Sequence, residues 1–257
     1  MTGKMIFFDI DGTLLDHDKK IPTSTKQAIC ELKRLGHEVA IATGRGPFMF
    51  KEIREELGID SFVSYNGQYV EFRGEPLLKN PIQAELLQQL TEYADKHGNP
   101  IVYMDLETMR SSTEYHVHIE ESIATLKVPH PAHDPEYFRG RDIFQCLVFC
   151  TIGEEPMYRE RFSSLDFIRW HQFSMDVLPL GGSKAKGIEA MIGKLGIAKE
   201  DIYAFGDYLN DIEMLQFAGN SIAMGNAPDI VKKAAKHVTK DVGEDGIMHG
   251  LRLVGLL

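Results

Sequence analysis

Asp9 and Asp11 stand two residues apart at the end of the apolar run Met5-Ile6-Phe7-Phe8, and Gly12-Thr13 follows them directly. Two carboxylates in such a setting repel each other and lose hydration, so the pair makes sense where a cation or a phosphoryl group meets it. Thr43-Gly44 closes a second apolar run, Glu38–Ala42, and Asp207 closes a third, Asp201–Gly206, with Asn210 and Asp211 in the next turn. Clustered carboxylates suit Mg²⁺, which prefers oxygen ligands and keeps several waters. A threonine beside a glycine amide, where a strand feeds a helix N-terminus, is a natural anion site. Lys184, just after Gly181-Gly182, supplies a positive charge that can meet the same anion.

Competing readings of these residues are weaker. An EF-hand loop starting at Asp9 requires Gly at its sixth position and Glu at its twelfth, where this chain has Leu14 and Lys20. Gly44-Arg45-Gly46 after a strand is part of a dinucleotide fingerprint, but Met49 occupies the third glycine's place. Singly, Asp-Gly and Thr-Gly are ordinary turn signals, and one lysine is usually an exposed lysine. The ordered set Asp-x-Asp, Thr, Lys, Gly-Asp-x-x-x-Asp carries the argument. His116-x-His118 and His130-x-x-His133 read as loop or surface histidines, since no acid or cysteine cluster accompanies them as a transition-metal site would need.

The elements that must position these groups alternate between strand and helix at both ends of the chain. The strand at 5–9 leads through the polar stretch Asp16–Lys20 to a helix opened by Pro22 and a Ser24-x-x-Gln27 capping box, with Ala28, Ile29, Leu32 and Leu35 as its apolar face and Gly36 as its stop. A strand at 38–42, a helix from Pro47 to Leu57-Gly58 and a strand at 61–65 follow. Asn66-Gly67 signals a two-residue hairpin into 68–72. Between about 81 and 178 the order changes to paired strands with helices near 82–97, 116–126 and 156–164. Alternation resumes with a helix at 183–195 and a strand ending at Asp207. The reading is an α/β fold: a doubly wound, Rossmann-like parallel-sheet core from residues 1–80 and 179–257, carrying an inserted α+β cap domain at 81–178. If the strands ending at Asp9, Thr43 and Asp207 share one parallel sheet, those ends share one edge and the residues converge.

Composition narrows the classes. The hydrophobic fraction of 43 % with 26 % charged residues is that of an ordinary soluble globular protein. A net charge of −10 argues against nucleic acid or an anionic membrane as partner. No apolar stretch reaches a membrane span, and the short run before Asp9 is no signal peptide. Cys30, Cys146 and Cys150 read as free, buried thiols, which places the chain in the reducing cytoplasm. Oligomeric state is not legible.

Over its full length the sequence resembles the haloacid-dehalogenase-like hydrolases, and within them the Cof-type phosphatases with a large type-two cap. Asp9-Ile10-Asp11-Gly12-Thr13-Leu14, Thr43-Gly44-Arg45, Lys184 (rather than nearby Lys186) and Gly206-Asp207 to Asp211 look like that superfamily's four motifs. Asn66-Gly67 and Met224-Gly225-Asn226-Ala227 look like Cof-type sequence. The resemblance implies a Mg²⁺-dependent phosphomonoester hydrolase. Asp9 is then the nucleophile that forms an aspartyl-phosphate, and Asp11 the general acid and base. Mg²⁺ is held by Asp9, the Asp11 carbonyl and Asp207. Thr43, Gly44, Lys184 and Asn210 hold phosphoryl oxygens, and Asp211 orients metal waters or Lys184. A dehalogenase is disfavoured by the second acid, Asp11. A phosphomutase, or a catalytically idle sugar-phosphate sensor, is the alternative reading. The core motifs recognise only phosphate and metal, so the alcohol is left to the cap, where Arg110, Tyr115, His116 and His118 are the candidates. The expected substrate is a small soluble phosphomonoester: a sugar phosphate, or a phosphorylated cofactor such as pyridoxal phosphate or a flavin nucleotide.

Overall fold

A computed structural model describes residues 3–257. They form two compact units. The first comprises the chain up to Arg45, Phe50–Lys79 and Ser183–Leu257, and the second comprises Gly46–Met49 and Asn80–Gly182.

In the first unit, β1 (Met5–Phe8), α1 (Thr23–Arg34), β2 (Glu38–Ala42), α2 (Lys51–Leu57), β3 (Phe62–Ser64), β4 (Tyr69–Phe72) and β5 (Glu75–Lys79) come before the long segment of the second unit, Asn80–Gly182. In the second unit, α3 (Ala84–Lys96), β6 (Ile101–Met104), β7 (Met109–Ser111), α4 (Val117–Ala124), β8 (Gln145–Phe149), α5 (Glu155–Arg161), β9 (Leu165–His171) and β10 (Ser174–Pro179) follow. The first unit is completed by α6 (Lys184–Leu195), β11 (Ile202–Gly206), α7 (Ile212–Phe217), β12 (Asn220–Ala223), α8 (Asp229–Lys232), β13 (His237–Val238) and α9 (Gly246–Leu253).

The first unit is built on one sheet in the order β13-β12-β11-β1-β2-β3-β4-β5. Pairing is parallel from β13 to β3 and antiparallel at β4 and β5. β1 is central and wholly buried, which is why its four residues are all apolar rather than alternating. On one face Met5 and Phe7 pack with Ile188, Met191 and Ile192 of α6 and Met214 and Leu215 of α7. On the other, α1 packs against β2 and α9. Gly250 of α9 lies so close to the sheet that a Cβ there would sit 2.6 Å from the Phe205 ring. Helices therefore cover both faces, as a doubly wound sheet requires. Registers pair Phe8 with both Ile41 and Phe205, so Asp9, Thr43 and Asp207 leave the sheet at the same edge.

The second unit is an antiparallel sheet in the order β7-β6-β8-β10-β9. Ile101, Tyr103, Cys146, Val148, Met175 and Val177 point to one face, where Leu87, Leu90 and Ala94 of α3 and Tyr158 of α5 complete the core. Its strands pair by chain reversal, an α+β arrangement distinct from the first sheet.

Several local expectations are corrected. Pro22, not Ser24, takes the N-cap of α1; Ser24 lies inside the helix, and its hydroxyl has no hydrogen-bond partner. The proline's preset φ of −58° opens the helix without a side-chain cap. Leu35 has left the helix and is 46 % exposed, so the apolar face ends at Leu32. Asn66-Gly67 does not make a two-residue turn. Ser64 pairs with Tyr69, and the four residues between them include Tyr65, Asn66 and Gly67, all with positive φ. That wider loop lets Asn66 N donate to the Thr43 carbonyl (3.1 Å) and Tyr65 N to the Arg45 carbonyl (3.2 Å), bracing the end of β2. Cys30 is exposed, whereas Cys146 and Cys150 are buried, and all three are free. The edge strands β5 and β13 escape a pattern reading because they are largely exposed and lack an apolar run. No helix among the described residues is long and apolar enough to cross a membrane.

Candidate active site

The β1 chain turns sharply after Asp9. Leu14 N and Leu15 N donate back to the Asp9 and Ile10 carbonyls (3.3 and 2.8 Å), and Gly12 adopts φ +82°. Glycine is required there on two counts. L side chains rarely take that backbone, and a Cβ would fall 2.2 Å from Asp207 Oδ2. The turn thus brings the β1 loop against the β11 loop. Thr13 Oγ1 donates to Asp207 Oδ1 (2.9 Å), and Asn226 Nδ2 donates both to Asp207 Oδ2 (3.2 Å) and to the Gly12 carbonyl (2.9 Å). Val242 N in turn donates to Asn226 Oδ1 (3.0 Å), so this one amide ties three loops together.

Lys184 is the first residue of α6, after the N-cap Ser183, whose hydroxyl accepts from Lys186 N. Its side chain is fully buried. Nζ donates to Asp9 Oδ1 at 2.5 Å and to Asp211 Oδ1 at 2.6 Å. Lys186, the other candidate of the Gly-x-x-Lys neighbourhood, is exposed. Asp211 Oδ2 accepts from the Asp207 and Tyr208 amides (2.9 and 3.0 Å), so both of its oxygens are engaged. Asp9, Asp207 and Asp211 are all buried and offer oxygens within 4.8 Å of one another.

Charge is unbalanced here. Three carboxylates against one ammonium leave −2 when all are ionised. Burial pushes the Asp9 carboxyl up to about 8; Lys184 opposes this, and repulsion from Asp211 and Asp207 adds to it. Asp207 is pushed up to about 6, again by burial first, with the Thr13 hydroxyl opposing and Asp211 adding. Burial acts to lower Lys184, but Asp211 and Asp9 outweigh it and raise the ammonium above its ordinary range. Such a set gains by taking up either protons or a divalent cation. Its hard oxygen donors fit Mg²⁺.

Asp11 faces a different environment. Arg45 Nε donates to its Oδ2 (2.8 Å), Arg45 Nη2 to its Oδ1 (2.7 Å), and Lys19 Nζ also to Oδ1 (2.6 Å). Burial acts to raise this carboxyl, but Arg45 and Lys19 more than offset it and hold it below its ordinary value. The two acids of Asp9-x-Asp11 therefore sit in opposite surroundings, Asp9 among buried carboxylates and Asp11 between two cations. A divalent cation at the carboxylate cluster would draw Asp9 back to its ionised form.

Among the other expected residues, Thr43 is buried at the end of β2 with its Oγ1 accepting from Arg45 N (3.1 Å), and Gly44 follows it. Asn210 is exposed on the turn before α7. In the second unit, Tyr115, His116 and His118 gather at the start of α4. His116 caps that helix by accepting from His118 N (3.2 Å), the two imidazoles lie 4.9 Å apart, and Tyr115 stacks on His130. Arg110 turns to Thr108, the Met109 carbonyl and the face of Tyr137. Among the described residues the histidines form no metal-competent group. A motif reading names Thr13, Arg45 and Asn226 without assigning them work. Their partners lie in other loops, and the only local signal was their place beside motif residues.

The family model described as haloacid dehalogenase-like hydrolase matches residues 6–251. The chain is similar to YkrA of Bacillus subtilis (strain 168), 48 % identical over 257 residues, which covers 100 % of each chain. It is also similar to the 5-amino-6-(5-phospho-D-ribitylamino)uracil phosphatase YitU of the same organism, 29 % identical over 262 residues and 96 % of each chain. A crystal structure of a protein from Geobacillus kaustophilus superposes with a TM-score of 0.97 at 55 % identity, covering 99 % of this chain and 100 % of that one.

Proposed function

The chain belongs to the haloacid dehalogenase-like hydrolase family, and from that premise we propose that it is a Mg²⁺-dependent phosphatase acting on a small phosphomonoester through a phosphorylated Asp9. The observation that carries this reading is the buried Lys184 ammonium shared by Asp9 and Asp211, with Asp207 alongside. An uncompensated −2 at the end of a buried strand is costly unless a cation belongs there. Asp9, the main-chain carbonyl of Asp11 and Asp207 would hold Mg²⁺. When bound, the ion supplies positive charge that offsets repulsion between the Asp9 carboxylate and the phosphoryl oxygens.

The chain's own groups divide the rest of the work. Lys184 fixes the direction of the Asp9 oxygen and neutralises part of its charge. Asp9 attacks phosphorus, the bond from phosphorus to the alcohol oxygen breaks, and that oxygen takes a proton carried by Asp11. Water then attacks that phosphorus, the bond from phosphorus to the Asp9 oxygen breaks, Asp11 receives a proton of the water, and inorganic phosphate leaves with Asp9 restored. The Thr43 hydroxyl, the Gly44 amide, Lys184 and Asn210 hold the phosphoryl oxygens. Asp211, with Lys184 on one oxygen and two amides on the other, keeps the lysine in place.

None of these groups distinguishes one alcohol from another, so we assign that choice to the inserted segment, residues 81–178. YitU is named for a phosphate ester of a ribityl chain, which supports a sugar phosphate or phosphorylated cofactor as the substrate class here. A panel of sugar phosphates, pyridoxal phosphate and flavin mononucleotide, assayed by kcat/KM with Mg²⁺, tests the reading. Release of phosphate from at least one member, lost in Asp9→Asn, supports it. A folded wild-type chain that releases phosphate from none of them, or an Asp9→Asn variant of undiminished activity, refutes it.

A further inference from the structure

The loop Asp16–Lys20 is more tightly built than a connection from β1 to α1 requires. Asp16 N donates to the Lys20 carbonyl (2.9 Å) and Lys19 N to the Asp16 carbonyl (3.0 Å). Asp16 Oδ1 accepts from both Asp18 N and Lys20 N, at 2.9 Å each. At the tip Lys19 is held at φ +62°, in the left-handed region that glycine or asparagine occupies at less strain. Its ammonium reaches back 2.6 Å to Asp11 Oδ1, the oxygen that Arg45 Nη2 also meets.

Fold stability does not account for this contact. The Lys19 and Asp11 side chains are 47 % and 39 % exposed, and ion pairs in that setting contribute little. Arg45 alone already engages both oxygens of Asp11. Backbone strain held by an over-determined loop and directed at a reactive carboxylate points to function. We propose that Lys19 is a positioning residue for Asp11: sharing Oδ1 with Arg45 Nη2, it fixes where the carboxyl group meets the leaving alcohol. The assignment rests on the reading of Asp9 as nucleophile and Asp11 as acid and base.

Leaving-group chemistry separates this role from others. A nitrophenolate departs from phosphorus without a proton, whereas a sugar alkoxide needs one, and kcat/KM reports the steps through departure of the first product. The experiment measures kcat/KM with Mg²⁺ for the best alkyl phosphomonoester of the panel and for 4-nitrophenyl phosphate, in wild type, Lys19→Met, Lys19→Arg, Lys20→Met and Asp9→Asn. Lys19→Met is expected to lose about tenfold on the alkyl ester, a fraction of what general acid catalysis supplies, and less than about twofold on the aryl ester. Lys19→Arg is expected to recover most of that loss, and Lys20→Met to match wild type on both. Equal losses on the two esters would make Lys19 a phosphate contact instead. No loss on either, or a selective loss that Lys20→Met reproduces, would likewise overturn the assignment. An Asp9→Asn variant that keeps its activity would remove the underlying reading, and Lys19's role with it. An inactive Asp9→Asn beside an unselective Lys19→Met removes the Lys19 assignment alone.

Discussion

Replacing Lys184 with methionine keeps the aliphatic stem and deletes the charge between two buried carboxylates. Lys184 and Asp211 have 0 % exposed side chains, and that of Asp9 is 9 % exposed. Breaking a buried pair by removing one partner costs about 3–5 kcal/mol, because the other is left without compensation. At roughly 2–4 °C per kcal/mol for a chain of this size, the midpoint should fall by about 6–20 °C at pH 8. The loss should shrink in acid. Each pH unit is about 1.4 kcal/mol for a carboxyl that can escape by taking a proton, so moving from pH 8 to pH 6 should return up to about 2.8 kcal/mol. Millimolar Mg²⁺ should narrow the gap by supplying the missing charge. The assay is thermal and urea unfolding at both pH values, with and without Mg²⁺. Far-ultraviolet circular dichroism must be followed, because the single tryptophan, Trp170, lies in β9 of the second unit and its fluorescence reports on that unit. A Lys184→Met protein within about 1 kcal/mol of wild type at pH 8, or a deficit unchanged by pH, would refute the account of the charge cluster.

Further outcomes follow from the same geometry. Asp9 and Asp207 bind protons more tightly folded than unfolded, with carboxyls pushed up to about 8 and about 6, so metal-free stability should decline as pH rises from about 4 to 8. Mg²⁺ should stabilise more at pH 8 than at pH 5.5, and a melting series showing the opposite order would contradict this. Asp9→Asn should lower turnover by at least about a thousandfold while leaving the metal-free fold at pH 8 as stable as wild type or more so, since it removes a strained buried charge; unfolding midpoints and phosphate release check both halves. Asp207→Ala should weaken Mg²⁺ binding, measured calorimetrically, more than Asp211→Ala does, because Asp211 is matched by the Lys184 ammonium whereas Asp207 meets only the neutral Thr13 and Asn226 and keeps its charge for the ion; equal weakening would count against that division. Gly12→Ala should reduce turnover sharply by driving the turn off Asp207 Oδ2, and a crystal structure of the variant with Asp207 unmoved would show the reasoning to be wrong.

The strands at the centre of the first sheet, and the shared edge to which Asp9, Thr43 and Asp207 would converge if those strands lay in one parallel sheet, were legible from local pattern. β1 is short, apolar throughout and followed at once by the acids, and a parallel sheet puts all such ends on one edge. The end of α2 followed similarly from Gly58, which is left-handed at the C-cap. What the sequence alone could not decide was partnership. Lys184 and Asp9 are 175 positions apart and Asn226 and Gly12 are 214 apart, so no spacing predicts that they touch. The same limit explains Ser24, which had the right spacing for a cap and lost that place to Pro22, and Asn66-Gly67, whose loop widened to brace β2. It explains above all the two faces of Asp9-x-Asp11. Two identical side chains, two residues apart, acquire opposite proton affinities because one is buried against other carboxylates and the other is met by Arg45 and Lys19. A carboxylate's chemistry is set by the field around it, and that field exists only once distant segments have been brought together.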